Sequence, residues 1–117
     1  QDILTCAMGL DVHRDVIVAC LARGELGTEP EIEIRSFSTL IQKAEITDWV
    51  LEVECRHVAM ESTGIYWQPI YEMLEPCFDG QINILVVNAR HMKNVPGRKT
   101  DMRDAQWIAT LLRAGFG

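Results

Sequence analysis

From residue 3 to residue 12 the chain alternates. Leu4, Cys6, Met8, Leu10 and Val12 fall on one side of an extended backbone, and Thr5, Ala7, Gly9 and Asp11 on the other. This predicts a strand that ends in a lone charge, Asp11, with Gly9 leaving room for close approach on the same face. Val16 to Ala22 is continuously apolar, as expected of a central strand buried on both faces. The short connection His13-Arg14-Asp15 joins the two as an antiparallel hairpin, with His13 a turn residue near the Asp11 face. After a turn at Arg23-Gly24-Glu25-Leu26-Gly27, residues Glu31 to Phe37 alternate charge with Ile32 and Ile34, the pattern of a half-exposed edge strand.

The pattern then changes period. Residues 38–54 predict a helix with Leu40, Ala44 and Leu51 as its apolar stripe. Ile46, Trp49 and Val50 lie off that stripe, which suggests a break near Thr47-Asp48. Arg56 to Met60 is a short strand followed at once by Glu61, a second carboxylate at a strand end. Ser62-Thr63-Gly64 turns the chain into a helix with Trp67, Ile70, Tyr71, Leu74 and Phe78 on one face and Pro69 in its first turn. Ile82 to Val87 is a fifth strand, closed by Asn88. The last helix runs from Asp101 to Arg113, with Gly115 as its C-cap. Its inward face carries Ala105, Ile108 and Leu112, opposite Arg103, Gln106, Thr110 and Arg113. The order βββ-α-β-α-β-α implies one α/β domain over residues 1–117, a mixed five-stranded sheet with helices on its faces.

Composition narrows the class. At 48% hydrophobic and 24% charged residues, the 117-residue chain is globular, not disordered. Asp11, Arg14 and Asp15 interrupt the first apolar stretch before it could span a bilayer, so no membrane partner is expected. Cys6, Cys20, Cys55 and Cys77 are scattered without a CxxC pair, which reads as buried thiols in a reducing, cytoplasmic setting and not as a zinc site. The net charge of -6 is uneven: residues 1–80 carry 5 basic and 15 acidic groups, residues 81–117 carry 6 and 2. Nucleic-acid binding depends on where charge sits, so the acidic total does not exclude it. The loop from Asn88 to Thr100 holds Arg90, Lys93, Arg98 and Lys99, the candidate phosphate contacts.

The candidate chemistry is carboxylate chemistry. Asp101 and Asp104, three residues apart, share the inward side of the last helix. Helix capping also accounts for them, and a turn accounts for Asp11. In a sheet where the first and fourth strands are neighbours, however, Asp11 and Glu61 become adjacent, and the last helix brings Asp101 and Asp104 over the same rim. Four oxygen ligands without a basic partner suit Mg²⁺ or Mn²⁺, and two such ions can assist phosphodiester exchange.

Three stretches carry a family resemblance: Gly9-Leu10-Asp11-Val12-His13, Met60-Glu61-Ser62-Thr63-Gly64-Ile65-Tyr66-Trp67 and Lys99-Thr100-Asp101-Met102-Arg103-Asp104-Ala105. Together they resemble the signatures of the DEDD transposases, insertion-sequence recombinases related to the Piv DNA invertase. The resemblance implies a ribonuclease H-like, RuvC-like domain with Asp11, Glu61, Asp101 and Asp104 as its metal ligands. It implies Mg²⁺-dependent cleavage and rejoining of DNA in a bacterial or archaeal cell, in some members with a guide RNA. It also implies a homo-oligomer and a further serine-containing domain C-terminal to this one. Ala89 stands where many relatives have proline, which touches the loop and leaves the acids intact. The alternatives are a stand-alone junction-resolving nuclease, a nucleotide-binding domain of actin-like or sugar-kinase-like type, and a catalytically silent assembly module. The second should have glycine-rich phosphate loops, and the sequence has none convincing.

Overall fold

The computed structural model describes residues 6–25, 28–62, 64–88 and 104–114. Five strands form one sheet: β1 (Cys6–Val12), β2 (Val16–Arg23), β3 (Glu31–Ser38), β4 (His57–Ser62) and β5 (Asn83–Asn88), in the order β3-β2-β1-β4-β5. The β1–β2–β3 meander is antiparallel, as the short connections require, and β4 and β5 lie parallel to β1. Among the described residues three helices cover it: α1 (Lys43–Glu52), α2 (Trp67–Leu74) and α3 (Asp104–Arg113).

Strand alternation divides the core in two. Met8, Leu10, Val12, Ile17, Leu21, Val58 and Met60 face α1 and α2, where Ile46, Trp49, Val50, Ile70 and Leu74 close the larger cluster. The opposite face is built from small residues. Cys20, Ala22 and Ala59 meet Ala105, Ala109, Trp107 and Ile108 of α3. Gly9 explains how closely that helix sits. A Cβ there would clash with the carbonyl oxygen of Ala105 and would lie 2.7 Å from the backbone nitrogen of Ala109. The space that Gly9 leaves is therefore filled by helix backbone.

Two expectations are corrected. The apolar stripe of α1 is Ile46, Trp49 and Val50, not Leu40, Ala44 and Leu51, and the helix is unbroken at Thr47-Asp48. Leu40 precedes the helix and is 76% exposed, and Leu51 is exposed as well. Trp49 decides the helix rotation. It packs against Phe37 with ring centroids 6.1 Å apart, and the Arg35 guanidinium stacks on it at 4.2 Å. Phe78 does not continue α2. The helix ends at Leu74, and Phe78 lies in the 3-10 turn Cys77–Gly80 with a positive φ of 55°. Pro69 is the third residue of α2, where its missing N–H breaks no helical bond. Gly115 lies outside the described residues.

Candidate metal centre

The parallel pairing of β1 with β4 sets Asp11 directly opposite Glu61. Both side chains lie on the α3 face, continuing the Gly9–Ala59 pair one step toward the strand ends. Glu61 is only 4% exposed, a carboxylate held where charge is costly without a compensating partner. Asp11 is half-buried, and its Oδ2 lies 3.0 Å from Nε2 of His13. The turn that carries His13 is fixed at both ends. His13 N–H donates to the Val16 carbonyl at 2.9 Å, and the Thr39 hydroxyl donates to the His13 carbonyl at 3.1 Å. After Glu61 the chain leaves the sheet through Gly64, whose φ of 112° is a conformation L side chains rarely adopt.

The direction of α3 follows from two contacts. Its first turn lies over Gly9, while at its far end Arg113 donates to the carbonyls of Gly24 (3.3 Å) and Glu25 (3.1 Å), beyond the end of β2. The helix therefore runs opposite to β1. Its amino end, which begins with Asp104, points toward the strand ends that carry Asp11 and Glu61. Arg113 was expected on the outer face, but it latches the β2–β3 turn. Trp107, one position off the Ala105–Ile108 stripe, is buried as well, over β4 and β5. His13 as the neighbour of Asp11 could be read only as a nearby turn residue, because the contact between the two side chains depends on how the hairpin closes.

Of the four acids, the structure brings Asp11 and Glu61 together and sets the start of α3 at their end of the sheet. Asp101 lies outside the described residues, as do Arg90, Lys93, Arg98 and Lys99. Among the described residues no group of three or more His, Cys, Asp or Glu side chains is assembled for a metal ion. The donor set nevertheless fits a hard cation: two carboxylates on adjacent strands, one buried, present oxygen ligands from a rigid base. The four cysteines are free thiols, and Cys20, Cys55 and Cys77 are buried. Among the described residues no helix is long and apolar enough to cross a membrane.

A mixed sheet of order β3-β2-β1-β4-β5 with paired acids at the β1 and β4 ends defines a ribonuclease H-like domain. RuvC and Pelota agree at the level of fold. RuvC of T. thermophilus, determined in complex with a Holliday junction substrate, superimposes with a TM-score of 0.54 at 15% identity, over 96% of this chain and 97% of its own. Pelota of Archaeoglobus fulgidus gives 0.57 at 12% identity, over 97% of this chain and 33% of its own. A Ppx/GppA family member of Aquifex aeolicus gives 0.48 at 13% identity over 74% of this chain, which spans 36% of that protein's length. No curated protein matches the sequence. Residues 8–117 match the DEDD family of the IS110 type, described as "Transposase". The chain belongs to this transposase family.

Proposed function

We propose that the chain is the catalytic domain of a metal-dependent DNA transposase, which breaks and rejoins phosphodiester bonds when an insertion sequence moves. The observation that carries this reading is the register pair Asp11–Glu61, two carboxylates side by side at the strand ends with Glu61 buried. Asp11 and Glu61 would hold Mg²⁺ or Mn²⁺ from the sheet, and Asp101 and Asp104 would complete the ligand set from the start of α3. The bound cation would supply Lewis-acid activation of the attacking oxygen and stabilisation of the leaving oxygen. The rigid sheet would fix the two strand carboxylates, and His13 would hold Asp11 in its orientation. Arg90, Lys93, Arg98 and Lys99 would bind phosphates of DNA, or of a guide RNA, and the working protein would be a homo-oligomer.

Calorimetric titration of Mn²⁺ in the presence of a DNA fragment tests the ligand set. Asp11→Asn, Glu61→Gln and Asp104→Asn should each weaken Mn²⁺ binding at least tenfold and abolish strand cleavage while sparing DNA binding. Mn²⁺ binding unchanged in all three variants would refute the reading. Joining of the cut end to a second duplex separates a transposase from a junction-resolving nuclease, whose products end in hydrolysis.

A further inference from the structure

The connections that leave the two acid-bearing strands also wall a groove on the other side of the sheet. Arg14 follows β1, Ile65 and Tyr66 follow β4, and Leu40 and Lys43 face them from the start of α1, with Pro69 closing the wall. Buried Ile70, part of the α1/α2 core, lines the groove and sets it on that face. Its volume is about 330 Å³, the size of a small ligand pocket. Ile65 is 74% exposed and Tyr66 38%, so together with Leu40 they leave a contiguous apolar and aromatic surface open.

Two cations, Lys43 and Arg14, border this surface. Lys43 is exposed and has no ion pair among the described residues. It opens α1, whose Ncap residue Gln42 makes no side-chain cap because its amide oxygen accepts the N–H of Ser38 at 2.9 Å. The helix dipole disfavours a cation there, a conflict that Glu45 in the same turn answers in part. Arg14 pairs with Asp15 at 3.1 Å, but its side chain is 73% exposed and remains open to a further anion. A flat apolar wall beside two cations matches a group that is itself half flat ring and half anion.

We propose that this groove takes an unpaired nucleotide of the DNA strand that enters the carboxylate rim, its base stacked on Tyr66 and its phosphates on Lys43 and Arg14. The proposal rests on the reading that the chain acts on DNA. Aromatic stacking is tolerant of sequence, and phosphate contacts fix the register of a strand. One wall grows out of the loops that follow Asp11 and Glu61, so the groove opens at the same end of the sheet as the candidate metal centre, on the other face.

The test uses two DNA probes, a blunt duplex and the same duplex with a single-stranded overhang containing 2-aminopurine. Wild-type protein should bind the overhang probe and quench its fluorescence through stacking. Tyr66→Ala should weaken overhang binding about tenfold and remove the quenching, with blunt-duplex binding unchanged, and Tyr66→Phe should behave as wild type. Lys43→Ala, at an exposed position, should flatten the salt dependence of overhang binding by about one phosphate contact. Equal affinity and equal fluorescence in wild type, Tyr66→Ala and Lys43→Ala would overturn the groove while leaving DNA binding intact; a groove built for a protein partner gives that result. Failure of the wild type to bind either probe would overturn the parent reading as well.

Discussion

Gly9→Ala adds one methyl group and should cost more than most core truncations of that size. The new Cβ would clash with the Ala105 carbonyl oxygen and would lie 2.7 Å from the Ala109 nitrogen and 3.1 Å from the Ile108 Cβ. The first two are backbone atoms of α3, so no rotamer change relieves them. Ordinary contact begins at 3.4 Å, so the helix would have to retreat by more than half an ångström. That retreat loosens the small-residue seat formed by Cys20, Ala22, Ala105 and Ala109. Overpacking of this kind costs ~1–3 kcal/mol, and removing glycine's excess backbone freedom returns roughly 0.5–1 kcal/mol. Because the obstacle is backbone, the upper part of the range applies, and the net loss should be about 2 kcal/mol. Urea unfolding followed by tryptophan fluorescence and circular dichroism measures it. The midpoint should fall with the slope unchanged, and Tm should drop by roughly 6–10 °C. Mn²⁺ affinity should fall too, because the amino end of α3 moves with the helix. Stability equal to or above wild type would show that Gly9 faces open space and that α3 is not seated on β1.

The rotation of α1 gives a second prediction: Ile46→Ala should cost ~2–5 kcal/mol by chemical denaturation, whereas Leu40→Ala should stay within about 0.5 kcal/mol of wild type. The cysteines give a third. Cys6 is half-buried, and its hydrogen bond with Cys55 lowers its pKa, so peptide mapping after brief alkylation should find Cys6 modified first and Cys55, Cys20 and Cys77 protected. Burial pushes the Cys20 thiol from 9.0 up to about 11, so it stays protonated in the folded state after it would ionise in the unfolded chain. Its contribution to stability should be whole below about pH 9 and decline as pH rises toward about 11, a loss that Cys20→Ala removes.

The strands and their order were legible in the sequence because a period of two and a short connection leave few arrangements. The alternation around Met8–Leu10–Val12 gave the faces of β1, and the three-residue link to Val16 required an antiparallel hairpin. The same logic made Asp11 and Glu61 neighbours once β1 and β4 were taken as adjacent, and their register bears that out. Helix α1 was harder. Both candidate stripes have apolar residues, and local spacing does not say which one meets the sheet. Packing against Phe37 and Arg35 decided for Trp49, and those residues lie on β3, a different element. The same limit applied to Arg113. Its charge placed it outside by pattern, yet two carbonyls some ninety residues earlier in the chain supply its partners. Gly9 shows the division most clearly. The sequence announced a close approach at that point, and tertiary structure alone decided that the approaching group is the backbone of α3. Periodicity records what a residue demands of its surroundings, whereas the identity of the neighbour that meets the demand depends on the path of the whole chain.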